Sequence, residues 1–91
     1  MALQRLSISD EAIARFRASL NYPSIREAWI SREEDKWGEV VLVLNFPNAE
    51  SAKEAWNQRQ VLMLGCLRLG LAQEIVMTVR GYKYGSVSSS Y

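Results

Sequence analysis

The chain has 91 residues, 48% hydrophobic and 23% charged, a composition that gives one globular domain with a modest core and excludes a disordered polymer. A net charge of +1 supplies no global attraction to nucleic acid or acidic membranes, and DNA is not an expected partner. With no histidine and one cysteine, Cys66, the commonest general base, the usual zinc ligand sets and an internal disulfide are all excluded.

Residues 2–8 read as a short first strand, with Leu6 and Ile8 on one face. Ser9 then reads as an N-cap, with Asp10 and Glu11 at the positive end of a helix and Ile8 and Ile13 placed as a hydrophobic staple. Ile13, Phe16 and Leu20 recur at helical spacing and should face the core, and Asn21, Tyr22 and Pro23 stop the helix. A second strand is expected over Ile25–Arg32, with Ala28 and Ile30 on one face and Glu27, Trp29 and Ser31 on the other. The loop EEDKWG reverses the chain into the most apolar strand, Glu39–Phe46. Val40, Leu42, Leu44 and Phe46 point to one side of it, and Val41 and Val43 to the other. A strand apolar on both faces belongs in the centre of a sheet.

Pro47 ends that strand and Asn48 caps a helix from Ala49. At about 100° per residue, Ala52, Trp56, Arg59, Met63, Cys66, Leu67 and Gly70 fall on one stripe. Leu62 and Leu69 flank it on one side, Leu64 and Leu71 on the other, and Val61 lies opposite. The helix is thus more apolar than one packed face requires. Two endings fit: a helix running to about Leu69, or one stopping at Leu64 with Gly65 as its left-handed cap. A last strand is expected over Glu74–Tyr84, and residues 86–91 read as a flexible tail after a single domain of residues 1–85. The N-terminal MALQRLSISDE has no signal-type apolar core. The run Val61–Leu71 is too short to span a bilayer, so a cytoplasmic protein with no membrane contact is expected.

The order (β)αββαβ predicts an α+β, ferredoxin-like two-layer sandwich: an antiparallel sheet, both helices on one face, the first and third strands central. Within it, NFPNAESAKEAW resembles the third strand and second helix of an RNA recognition motif, SIREAWISREEDKWG its second strand and loop, and SDEAIARF its first helix. The resemblance spans about residues 3–56 and implies single-stranded RNA as a ligand. The residues depart from that pattern where bases would stack: Val41 and Val43 stand in place of aromatics, and Glu39 in place of a basic residue. The junction Phe46, Pro47, Glu50, Ala52, Ala55, Trp56 is similar to one in small dimeric α+β barrel proteins, which pack open sheet faces together. That group includes enzymes and names no single reaction, and as a fold analogy it does not assign one here.

Two surfaces follow as candidates. Trp29, Val41, Val43, Val76 and Thr78 should share the open sheet face and form an interface, with Leu62, Leu64 and Leu69 as a second surface. Arg80, Tyr82, Lys83 and Tyr84 alternate basic and aromatic groups, the pattern of a strand-borne nucleic-acid contact or of a guarded edge strand. Arg59 reads as a snorkelling cation or an anion holder beside Glu74, Cys66 as a buried thiol with no histidine to activate it, and Glu33–Asp35 as solvated acids. Trp37 reads as a loop-tip contact or a lid over the sheet edge. No catalytic residue, cofactor or metal is implied. The leading expectation is a non-catalytic module that homodimerises or binds a protein through its sheet face. The alternatives are a degenerate RNA-binding domain and a dimeric-barrel enzyme with a pocket lined by Asn45, Tyr82 or Arg80.

Overall fold

A computed structural model describes residues 4–6, 10–18, 23–34 and 36–88. The expected roles of Ile8, Ser9, Leu20, Asn21, Tyr22 and Asp35 lie outside the described residues.

Helix α1 (Asp10–Ala18) carries its acids in the first turn and its arginines in the last, as the helix dipole favours, and buries Phe16 completely. Arg17 Nη2 donates to the carbonyl of Ala28 at 2.8 Å and ties α1 to the next segment. That segment is not the start of a strand. Pro23–Glu27 form a short helix, α2, opened by a proline whose fixed φ suits a first helical turn. Ile25 and Ala28, three residues apart, both turn into the core, and strand β2 begins only at Trp29 and ends at Glu34.

Strand β3 (Val40–Phe46) is the middle of a five-stranded sheet, as its two apolar faces require. It pairs antiparallel with β2, from Trp29 opposite Asn45 to Glu34 opposite Val40. Leu42, Leu44 and Phe46 are fully buried beneath the helices. The side chain of Asn48 accepts from the backbone N–H of Ser51 at 2.9 Å and caps α3 (Ala49–Asn57) as its sequence predicts. Ser51 Oγ in turn donates to Glu27 Oε2 at 2.7 Å, joining α3 to α2.

The second helical stretch is interrupted at Gln58, and α4 (Arg59–Arg68) follows. The longer of the two expected endings is the one found. Gly65 is buried inside α4, and Gly70, with φ of 65°, is the left-handed cap. Gly70 N donates to Leu67 O and Leu71 N to Cys66 O, each at 3.1 Å, so the last carbonyls of α4 are satisfied by a Schellman motif. Ala52, Met63 and Cys66 of the expected stripe are buried, with Ala55 and Leu62 beside them, whereas Leu67 and Gly70 are exposed and Trp56 is half-buried. Trp56 stands at the margin of the buried side for a steric reason. Its ring lies over Gly85, where a Cβ would come within 2.6 Å of the indole.

Strand β4 (Glu74–Val79) runs parallel to β3, and β5 (Tyr82–Ser88) returns antiparallel to β4. The expected single last strand is therefore a hairpin. Its two turn residues, Arg80 and Gly81, have φ of 51° and 88°, the pattern of a type I′ turn. Asn45 holds this turn: its Oδ1 accepts from Gly81 N at 2.9 Å and Thr78 Oγ1 at 2.7 Å. Arg80 Nε donates to the Pro47 carbonyl at 3.0 Å. These bonds offset the cost of a non-glycine residue at positive φ. Residues 86–88, expected in a flexible tail, pair with β4.

The α+β class holds, but the strand order differs from the ferredoxin-like expectation. The sheet runs β1-β2-β3-β4-β5, and β1 (Gln4–Leu6) pairs with β2 at the edge instead of lying beside β3. The place beside β3 is taken by β4. Leu42 and Ile75 pair there, as do Leu44 and Met77, and these bury four core side chains side by side. Among the described residues the central first strand of the RNA recognition motif is therefore also absent.

Candidate interaction surface

Alternation along the strands and the register between them set out the open face as three rows, since paired residues share a face. At one end stand Arg5, Glu33, Val41, Glu74 and Ser88; in the middle Ser31, Val43, Val76 and Ser86; at the other end Trp29, Asn45, Thr78 and Lys83. All five expected sheet-face residues, Trp29, Val41, Val43, Val76 and Thr78, are brought together. A depression of about 580 Å³ on this face is lined by Trp29, Ser31, Glu33, Val43, Val76 and Thr78 among others.

The two valines differ from their expected role. Val41 is 4% and Val43 9% exposed in the single chain, so they need no partner to be covered. The large apolar group left in water on this face is Trp29, 70% exposed. Ser31 Oγ donates to Glu33 Oε2 at 3.1 Å along the same strand.

Lys83 was not in the interface set. A straight final strand would send Thr78, Arg80, Tyr82 and Tyr84 to one face. The hairpin and the register shift after Met77 redistribute them. Lys83 lies opposite Thr78 on the open face. Tyr84 turns to the helix layer and meets Trp56 edge-on, ring centroids 6.2 Å apart. Tyr82 stands exposed, opposite Val79. Arg80 is engaged with Pro47. The basic and aromatic groups proposed as a nucleic-acid contact are thus divided between two faces and a turn.

The helical surface also needs correction. Leu62 is fully buried and has no surface to offer, and Leu69 is half-buried against the core. The outward apolar residues of α4 are Val61, Leu64 and Leu67. A second cavity, about 410 Å³, lies between the C-terminal end of α4 and the β2–β3 hairpin, with Arg32, Val40, Leu67, Leu71 and Gln73 in its wall. Arg59 caps the Trp56 ring at 4.7 Å and donates to the Trp56 carbonyl, on the opposite side of the sheet from Glu74. Trp37 is an exposed loop residue with Lys36 Nζ 4.3 Å from its ring centre. Asn45, Arg80 and Tyr82 do not line a space between sheet and helices. Asn45 faces the open side, and the other two are exposed. Among the described residues no group of three or more His, Cys, Asp or Glu could hold a metal ion, and Glu33 and Glu34 project to opposite faces of β2. No helix of the described residues is long and apolar enough to cross a membrane.

Cys66 donates to the Ala72 carbonyl at 3.4 Å in the core. Burial pushes its pKa from the ordinary 9.0 up to about 11, against smaller opposing pulls from the Ala72 backbone and the Arg32 charge. The unfolded thiol ionises first, so unfolding releases a proton between those values. The stability that the neutral thiol contributes is intact below pH 9 and falls as the pH rises from 9 to about 11. Urea unfolding of the wild type should therefore lose stability over that range with a steeper slope than Cys66→Ala. Equal slopes would place the thiol in water.

Comparison with known proteins finds no matching family model, no matching curated protein and no matching solved structure.

Proposed function

We propose that this chain is a non-catalytic interaction module that self-associates through its open sheet face. The observation that carries this reading is Trp29, a 70% exposed indole on the sheet face, in one row with Asn45, Thr78 and Lys83. Tryptophan is the side chain most enriched among the residues that dominate interface energies, because it buries a large area at small entropic cost. The RNA alternative has weaker support. Glu33 and Glu74 on this face repel phosphate, and the basic residues that the register places with them, Arg5 and Lys83, give no net positive charge.

The experiment is sedimentation equilibrium of wild type and Trp29→Ala from ~10 µM to ~500 µM, the range suited to a small, weak interface. The wild type is expected to show a monomer–dimer equilibrium and the variant to stay monomeric. Their thermal midpoints should agree, since an exposed side chain contributes little to the fold. A monomeric wild type, or a dimer indifferent to the Trp29 change, overturns the reading.

A further inference from the structure

Charge is not evenly spread over the open face. Both carboxylates, Glu33 and Glu74, occupy one end row, Glu33 with Arg5 opposite it in register and Glu74 between Val41 and Ser88, while the ammonium of Lys83 and the indole of Trp29 occupy the other, with Val43 and Val76 between them. A homodimer is built on a two-fold axis, and two sheets stacked face to face allow two simple choices for it.

An axis parallel to the strands lays each end row on its own copy. Four carboxylates, from two Glu33 and two Glu74, then share one row, spaced by roughly the 4.8 Å between strands. Arg5 stands opposite each Glu33 in register, whereas the two Glu74, on strands next to the axis, meet with only Val41 and Ser88 beside them. Like charges juxtaposed at an interface are strongly unfavourable. An axis perpendicular to the strands inverts the rows and keeps the columns. Glu33 then faces Trp29 of the second copy, whose indole N–H is a donor. Glu74 faces Thr78 of the second copy, with Lys83 of that copy one strand away. Ser88 faces Lys83. The middle row, Ser31, Val43, Val76 and Ser86, lies over itself in either case.

We infer that the occupant of the open face is a second copy of this chain, docked with its strands antiparallel, so that Glu74 of each copy pairs with Lys83 of the other. The inference rests on the sheet-face reading above. It adds the direction of docking and the residues that set it. The sheet twist rotates the two copies by about 30° without exchanging the rows. Four strands by three rows cover roughly 400 Å² per copy, so the dimer belongs to the small, weak class and its electrostatic pairs weigh heavily.

The test compares the wild type, Trp29→Ala, Glu74→Lys, Lys83→Glu and the double exchange Glu74→Lys with Lys83→Glu, by sedimentation equilibrium at ~50 mM and ~500 mM salt. Glu74 and Lys83 lie outside the core, and thermal midpoints confirm that each variant is folded. Antiparallel docking predicts that wild-type association weakens with salt. It predicts that either single change weakens it by about tenfold or more, and that the double exchange restores it to within about threefold. Parallel docking predicts the opposite sign: Glu74→Lys relieves the carboxylate crowding and tightens the dimer, as does added salt. A dimer that Trp29→Ala dissociates but Glu74→Lys tightens overturns the docking direction and leaves the sheet-face reading standing. A dimer indifferent to both single charge changes does the same. A monomeric wild type, or a dimer that survives Trp29→Ala, overturns both.

Discussion

Truncation of Phe46 to alanine is expected to destabilise the chain by about 3–5 kcal/mol, the cost of emptying a fully buried aromatic site. Phe46 ends β3 with no exposed area and lies in the core cluster with Phe16, Leu44 and Met77. Its carbonyl also accepts the N–H of Arg80 at 3.0 Å, where β3 meets the last hairpin. A domain of this size is stable by only about 5–15 kcal/mol, so the loss is a large part of the total. Urea unfolding monitored by circular dichroism measures it. The midpoint should fall with little change in slope, and the thermal midpoint should drop by roughly 15–25 °C. A cost under about 1 kcal/mol would mean that this residue is not in the core.

The second large effect separates two leucines on one helix. Leu62→Ala should cost about 2–5 kcal/mol and Leu64→Ala less than about 0.5 kcal/mol. Leu62 is fully buried against the sheet, while Leu64 is 55% exposed on the outer side of α4. Both lie in an almost unbroken apolar run, so composition does not separate them. If the two costs came out equal or reversed, α4 would be rotated about its axis. Leu64→Ala also tests the outward stripe with Val61 and Leu67: unchanged self-association is the outcome consistent with docking on the sheet.

The parts of the fold that were legible in the sequence have local causes. Alternation over Glu39–Phe46 marks a central strand because the side-chain period of a strand is two. Asn48 announces a helix start because its side chain reaches an N–H only three residues on. The pairing of Trp29, Val43, Val76 and Thr78 on one face follows from the same alternation once the strands lie side by side. The hairpin at Arg80–Gly81 was not legible. Arginine is not a turn residue, and the groups that stabilise its positive φ come from Asn45 and Pro47, more than thirty residues away. Ile25 was misplaced because one helical turn and the start of a strand look alike over three residues. Lys83 reached the candidate face only through that hairpin and the register shift beside it.

By itself, then, the sequence determined the α+β class, a β3 buried on both sides, the cap of α3, and a chain without histidine chemistry. Each of these depends on residue type or on spacing within a few positions. Only the tertiary structure decided the strand order, the side of α3 and α4 that is buried, and the separation of acid from base on the open face. Those depend on register between distant strands and on where a ring as large as Trp56 fits, over Gly85. The question left by the two-faced strand has changed accordingly. Val41 and Val43 are already covered within the chain, and it is Trp29, in the same row as Lys83 and on the same strand as Glu33, that is left exposed.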